Sequence, residues 1–507
     1  VHPVPAAEAE VAADLAAVRP DLGARYAAEL PGARAAVLTR LWRALAHEPL
    51  PWITGRERGR DGLTLRLADG RRLHGPHPDP YATSAYVTTV RLEEVAYDRP
   101  ARLLTGLAVP HGAAFAAELD HSAASLALSR AGQPPHSDAW PARPWEWEQR
   151  VVDGHPYHPN CRSRPGFSVA EQLAYGPEHR PLVELGLMPV PVEECLVTGV
   201  WPQTLRDGGR LLIPVHPWQA AHVLKAPRAE GLPAQRVLAA HPLLSLRTLA
   251  LPDGPHVKTA LSARLTSSVR DISVGSIALS ATLSAFAQAL AERTDGLLHV
   301  TRTLGAATAN SPDLAAVLRE SPQSYTAPGE HVVPVAALAA TGLPGSRDWL
   351  ADFARLALTV GLRLLELGVA LEAHGQNLLV VLSATGAPLR LVYRDLADVR
   401  ISPARLARHG IPVPELTGRV VTDDLPTLRR KLFGSLVAGA LAGAAGSGEA
   451  LGAALETAVR ELPRTPDVVA LCEAPLPVKA LTLMRLSPGV SGDQWAELPN
   501  PLRGPSF

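Results

Sequence analysis

Between residues 348 and 395 the chain reads as a long helix, a polar loop and a hairpin ending on Arg-Asp, and no other stretch narrows the fold as far. Apolar positions three and four apart predict a helix over 348–371. The loop Glu372-Ala373-His374-Gly375-Gln376-Asn377 follows, then a strand over 378–382, a Thr-Gly-Ala-Pro turn, a strand over 389–393 and Arg394-Asp395. Such a hairpin brings Asn377 back beside Asp395 and gathers Glu372, Asn377 and Asp395 around a hard cation. Magnesium favours oxygen donors of this kind together with substrate phosphates. Protein kinases hold metal-bound ATP with an Asn before a hairpin and an Asp after it. A helix cap followed by a buried polar hairpin explains His-Gly-Gln-Asn alone; the spacing to Asp395 favours the metal site.

A chain of 507 residues exceeds what one hydrophobic core usually holds. Divisions are expected near 230 and 350: an N-terminal α/β subdomain (1–230), a central nucleotide-binding subdomain (231–350) and a mostly helical C-terminal palm (351–507). Helices are expected through residues 1–50 and over 113–128, a hairpin turning at Asp69-Gly70, and paired strands over 244–251 and 257–261 across Pro-Asp-Gly-Pro. Two uncharged stretches, 272–290 and 432–448, are diluted by Ala, Gly, Ser or Thr and read as buried helices rather than bilayer spans. Basic and acidic residues balance at 49 each, which provides no global field for nucleic acid. Three cysteines without CxxC spacing, and an N-terminus without a signal-peptide pattern, point to the cytoplasm.

Two further constellations carry chemistry. Residues 154–166, Gly-His-Pro-Tyr-His-Pro-Asn-Cys-Arg-Ser-Arg-Pro-Gly, hold His155 and His158 on a stiff loop with Arg162 and Arg164, suited to clamping carboxylate or phosphate. No cysteine or acidic partner completes a zinc pattern there, and His216 in Ile-Pro-Val-His-Pro-Trp reads equally well as a packed core histidine. In the second constellation, Ser245, Arg247 and Thr248 precede Lys258-Thr259 and Thr266-Ser267-Ser268-Val269-Arg270. Adjacent strands would converge Arg247 and Lys258, and 266–268 would sit near the start of the next helix, where with Arg270 they make an anion site. Only four of the 49 basic residues are lysine (Lys225, Lys258, Lys431, Lys479), so each retained lysine merits attention.

Together these segments resemble the siderophore synthetases that work independently of nonribosomal peptide synthetases, the aerobactin synthetase family. The likeness runs from Glu118-Leu119-Asp120-His121-Ser122 through the His-Pro loop, Ser245–Thr248, Lys258, 265–270, 372–377 and 393–396, and closes on 478–486 and 500–502. It implies an α+β, three-subdomain cupped-hand architecture with a kinase-like C-terminal palm. It further implies that Ser245, Arg247, Thr248 and Ser267 contact ATP, that Lys258, Arg270 and His374 hold its phosphates, and that Glu372, Asn377 and Asp395 bind Mg²⁺. His158 and Arg162 would face the α-phosphate and the carboxylate substrate, with Arg270 reaching it too. A homodimer is implied as well. Two departures stand out: Arg162 lies where the family usually has lysine, and Thr-Arg-Thr-Leu-Gly (301–305) where it tends to carry a glutamate. The chain is also short before residue 115.

The activity implied is adenylation of citrate or a related polycarboxylic acid, followed by condensation with an amine, hydroxylamine or alcohol and release of AMP and pyrophosphate. Two alternatives use the same residues: a kinase-like phosphotransferase releasing ADP, and a non-catalytic binding protein for citrate-like ligands. Cys161 is not expected to act covalently.

Overall fold

The computed structural model describes residues 7–135, 137, 139–225, 237–265, 268–416 and 418–503. Helices Gly23–His47 and Gly112–Ala131 pack together in the N-terminal part, flanked by Ala7–Val18 and Pro100–Leu107. Helix Gly23–His47 is buried almost continuously from Ala33 to Ala46 because neighbours enclose it on every side. A five-stranded antiparallel meander from Ile53 to Tyr97 completes this layer. Its expected hairpin forms: Leu63, Leu65 and Leu67 alternate inward, and Gly70 takes a left-handed conformation (φ 91°) in the turn.

A nine-stranded antiparallel sheet follows, in the order 196–199, 303–308, 315–319, 256–259, 248–250, 237–242, 183–191, 210–215, 206–207. Strand Val237–Pro242 pairs directly with Val183–Pro191. The strands expected across Pro-Asp-Gly-Pro pair as Thr248–Ala250 with His256–Thr259, setting Thr248 opposite Lys258.

Helix Val274–Ala291 lies across this sheet, turning Ile277, Leu283, Ala287 and Leu290 inward. Among the described residues, 274–294 is the one unbroken helical stretch apolar and long enough to cross a membrane by length and composition. The helix starts further on than expected: Ser268–Arg270 pairs as a strand with Leu261–Leu265, and Ser273 caps the helix by accepting from Ser276 N at 3.1 Å. Residues 266 and 267, and therefore Ser267, lie outside the described residues.

In the C-terminal palm, strands Leu298–Val300, Pro388–Tyr393, Leu378–Leu382 and His331–Pro334 form a sheet with one parallel pair. Helix Arg347–Leu367 packs against it. The helix stops four residues before its expected end because Gly368 adopts φ 112°, after which Val369–Ala370 pairs with Arg400–Ile401. Helix Leu425–Leu432 continues as a π-helix, Phe433–Leu441, and then Ala442–Ala445. One apolar core joins Phe353, Val380, Tyr393, Leu436 and Val437. The result is an α+β, three-subdomain cupped hand with a kinase-like palm.

Candidate active site

Asp395 sits at the end of the palm hairpin in a left-handed conformation (φ 72°), costly for a residue with a side chain and typical of functional positions. Two contacts hold it there. Arg394 makes a forked ion pair with buried Glu148, both distances 2.8 Å, and donates from Nε to the Gln376 carbonyl at 3.0 Å. Glu148 also accepts from Leu244 N at 3.0 Å, which ties the palm to the turn before Thr248. In that turn the Ser245 carbonyl accepts from Thr248 N at 2.7 Å.

Lys258 crosses from the large sheet and meets Asp395 Oδ2 at 2.6 Å, while Arg319 on the neighbouring strand lies 3.7 Å from Oδ1. Burial raises the Asp395 carboxyl, but Lys258 and Arg319 outweigh it and hold it well below the usual carboxylate range. Burial pulls Lys258 down to about 8 although Asp395 opposes the shift. Arg247 donates to the carbonyl of Asp271 at 2.6 Å and to that of Arg270, so it braces the hairpin that carries Arg270. Burial draws Arg247 down to about 10.

The polar loop takes the geometry its sequence suggests. His374 N𝛿1 accepts from Gln376 N at 3.3 Å, and Asn377 donates its amide to the Glu372 carbonyl at 3.2 Å. A side chain at Gly375 would stand 3.0 Å from Ala336 N, so the loop lies close against the chain there and a larger residue would push the two apart. Glu372 Oε1 receives Lys431 at 2.8 Å and Lys479 at 3.4 Å. Burial lowers His374, with Glu372 and Asp395 opposing and Lys479 and Lys431 adding to the effect, so these five groups share one electrostatic neighbourhood. Arg270 joins it, feeling Glu372 and Asp395. His158 lies within reach of Arg270, and burial first, then Arg270 and Arg40, lower it to about 3.

His158, Arg247, Lys258, Arg270, Glu372, His374, Asn377 and Asp395 are thus brought together, with Ser245 and Thr248 on the adjoining turn. Arg162 is not. Its guanidinium is buried, 3.3 Å from Glu178 and 2.7 Å from the Val151 carbonyl, and also bonded to the Val152 carbonyl. Arg164 shares Glu178 at 2.8 Å. The sequence reading also missed Arg319, Glu148 and Lys431. The scarcity of lysine was the available signal for Lys431: three of the four lysines touch the site's two carboxylates. His216 is fully buried and accepts from Trp218 N at 3.2 Å, the packed alternative.

Among the described residues no three His, Cys, Asp or Glu side chains form a metal cluster. Glu372, Asn377 and Asp395 nevertheless supply only hard oxygens. Their lysine partners show that the carboxylates already face positive charge, and this donor set fits a magnesium ion carried by phosphates.

Residues 144–340 match the IucA / IucC family, and residues 347–493 match the ferric iron reductase FhuF-like transporter family. Citryl-spermidine/3,4-dihydroxybenzoyl-citryl-spermidine:spermidine ligase of Bacillus anthracis is 25% identical over 312 residues, 50% of this chain and 51% of that protein. D-ornithine–citrate ligase of Staphylococcus aureus is 22% identical over 366 residues, 57% of this chain and 55% of that protein. The matches thus span about half the length of these curated relatives. Among solved structures, the petrobactin biosynthesis protein AsbB of Bacillus anthracis superposes with a TM-score of 0.76 at 20% identity, covering 95% of this chain and 98% of that one. ATP-bound aerobactin synthetase IucA of Klebsiella pneumoniae gives 0.69 at 20% identity, with 93% and 99% covered. These likenesses establish a shared fold. By the IucA / IucC match over residues 144–340 and these relatives, the chain is similar to the synthetases independent of nonribosomal peptide synthetases.

Proposed function

We propose that this protein adenylates a carboxylate of citrate or a related polycarboxylic acid and condenses it with an amine, hydroxylamine or alcohol. The observation that carries this reading is the meeting of Lys258, Arg247, Arg319 and Arg270 with Asp395, Glu372, Asn377 and His374 where the large sheet faces the palm. ATP would lie there, its base against the Ser245–Thr248 turn and its phosphates toward Lys258, Arg270 and His374. Glu372, Asn377 and Asp395 would hold Mg²⁺, which when bound neutralises charge on phosphoryl oxygens.

In the first step a substrate carboxylate oxygen attacks the α-phosphorus, the bond to the bridging oxygen breaks, and pyrophosphate leaves. Lys258 and Arg270 would stabilise the developing negative charge. In the second step the acceptor's nitrogen or oxygen attacks the acyl carbon, loses its proton and expels AMP. His158, held neutral near Arg270, would orient the carboxylate, and the released proton would pass to solvent. Holding both reactants in one site would supply much of the remaining acceleration. Arg162 has no part in these steps, since its fork is used on Glu178 and two carbonyls. Assembly as a homodimer is proposed on family likeness alone.

The test is pyrophosphate and AMP release from Mg·ATP, with hydroxylamine as surrogate nucleophile and a panel of carboxylic acids. Release dependent on one acid supports the reading and names the acyl donor. ADP release moves the case to a phosphotransferase, and absence of ATP binding leaves a ligand-binding protein.

A further inference from the structure

Lys431 is a charged side chain in an otherwise apolar run, Lys-Leu-Phe-Gly-Ser-Leu-Val-Ala-Gly-Ala, and it is only 4% exposed. A buried ammonium needs anionic partners, and Lys431 has two: Glu372 Oε1 at 2.8 Å and Asp398 Oδ2 at 2.5 Å. Asp398 is secured independently by Arg400 at 2.9 Å and Arg419 at 3.5 Å. Lys479 approaches the same oxygen of Glu372, so both lysines use Oε1 and leave Oε2 for another partner.

The backbone next to Lys431 reinforces this arrangement. The helix changes there to π geometry, a rare form often found beside functional sites. Ser435, one turn on, accepts from Ala373 N at 3.0 Å and lies 2.8 Å from the Lys431 carbonyl and 3.2 Å from that of Leu371. Gly439 comes against His374, and Gly434 against the Pro477 carbonyl of the strand that carries Lys479. One helical segment therefore registers both the Glu372 loop and the Lys479 strand.

We propose that Lys431 is a positioning residue: anchored on Asp398, it holds Glu372 by Oε1 so that Oε2 is presented to the magnesium of the bound nucleotide. The inference rests on the nucleotide-binding reading given above. It predicts a magnesium-specific defect, because Lys431 touches a metal ligand and no nucleotide-binding side chain.

The test is calorimetric titration of ATP into wild type and Lys431→Met, each with Mg²⁺ and with EDTA. The expected result is a loss of about 10–100-fold in affinity for Mg·ATP, the range for outer-shell partners of metal ligands, with metal-free ATP binding within about twofold of wild type. Equal affinity of the two proteins for Mg·ATP overturns the proposal, as does an equal loss with and without the metal. Should Lys431→Met fold poorly, the double variant Lys431→Met/Asp398→Asn removes one of the two carboxylates that lose the ammonium, and the same magnesium-specific loss is expected from it. A wild type that binds ATP equally with and without Mg²⁺ refutes the metal reading of Glu372 itself, and the inference with it.

Discussion

Glu178 and Asp395 are both carboxylates met by two basic side chains, yet they serve opposite ends. Glu178 is fully buried, and its partners Arg162 and Arg164 come from the nearby His-Pro loop. Burial raises its carboxyl, but the two arginines outweigh that and hold it well below the usual range. Asp395 retains 27% exposure of its side chain, stands in a strained backbone conformation, and draws Lys258 and Arg319 from a different sheet. Glu48 sharpens the contrast. It is 4% exposed and accepts from Thr482 N at 3.1 Å and Leu483 N at 2.7 Å, and burial, outweighing these amides and Arg43, pushes it up to about 7. Burial sets the demand for charge compensation; whether the compensating group is local or distant, and open or sealed, separates a scaffold from a site.

The contrast breaks most forcefully at Glu178. Replacement by Ala leaves two buried guanidinium groups uncompensated, and a loss of about 3–5 kcal/mol in unfolding free energy by denaturant titration is expected. If stability holds, the sealed cluster is not structural. At the open carboxylate the expected loss is functional. Lys258→Met lowers acid-dependent pyrophosphate release about 100–1,000-fold, the usual cost of losing one preorganised charge-stabilising group, while thermal unfolding moves by only a few degrees. A large fall in melting temperature with intact turnover would make Lys258–Asp395 another scaffold pair.

Glu48 predicts a pH signature. Its folded pKa is raised above the unfolded value, so the native state keeps a proton that the unfolded chain has released between about pH 4.5 and 7. Its contribution to stability is complete below that window and is lost as pH rises through about 7. The melting temperature of wild type minus that of Glu48→Gln should therefore fall across the window and level off above it; a constant difference removes the assignment. The smallest effect is expected at Cys161, whose thiol accepts from Arg40 at 3.0 Å. Cys161→Ser should change stability by about 1 kcal/mol or less and leave turnover intact. Abolished turnover in a folded protein would restore a covalent role.

Much of the palm was legible because its signals are short-range. The strand over 378–382 and the hairpin return to Asp395 follow from apolar runs divided by a turn, and only the helix end was misjudged, at Gly368. The helix expected to start near 266–268 starts only after Ser273 for a related reason: pattern alone did not separate a short hairpin strand from a helix start. Arg162 shows the limit of residue type as a guide, since an arginine suited to phosphate was turned inward by Glu178.

By itself, then, the sequence determined the local elements, the polar loop and the list of groups able to bind a phosphate or a metal, because backbone pattern and side-chain chemistry are local properties. Only the tertiary structure decided the pairings: Lys258 with Asp395, Arg394 with Glu148, Lys431 with Glu372, and Arg162 with Glu178. A charge can interact with any opposite charge the fold brings near, and that choice is made by sheet order and burial rather than by neighbours in the chain.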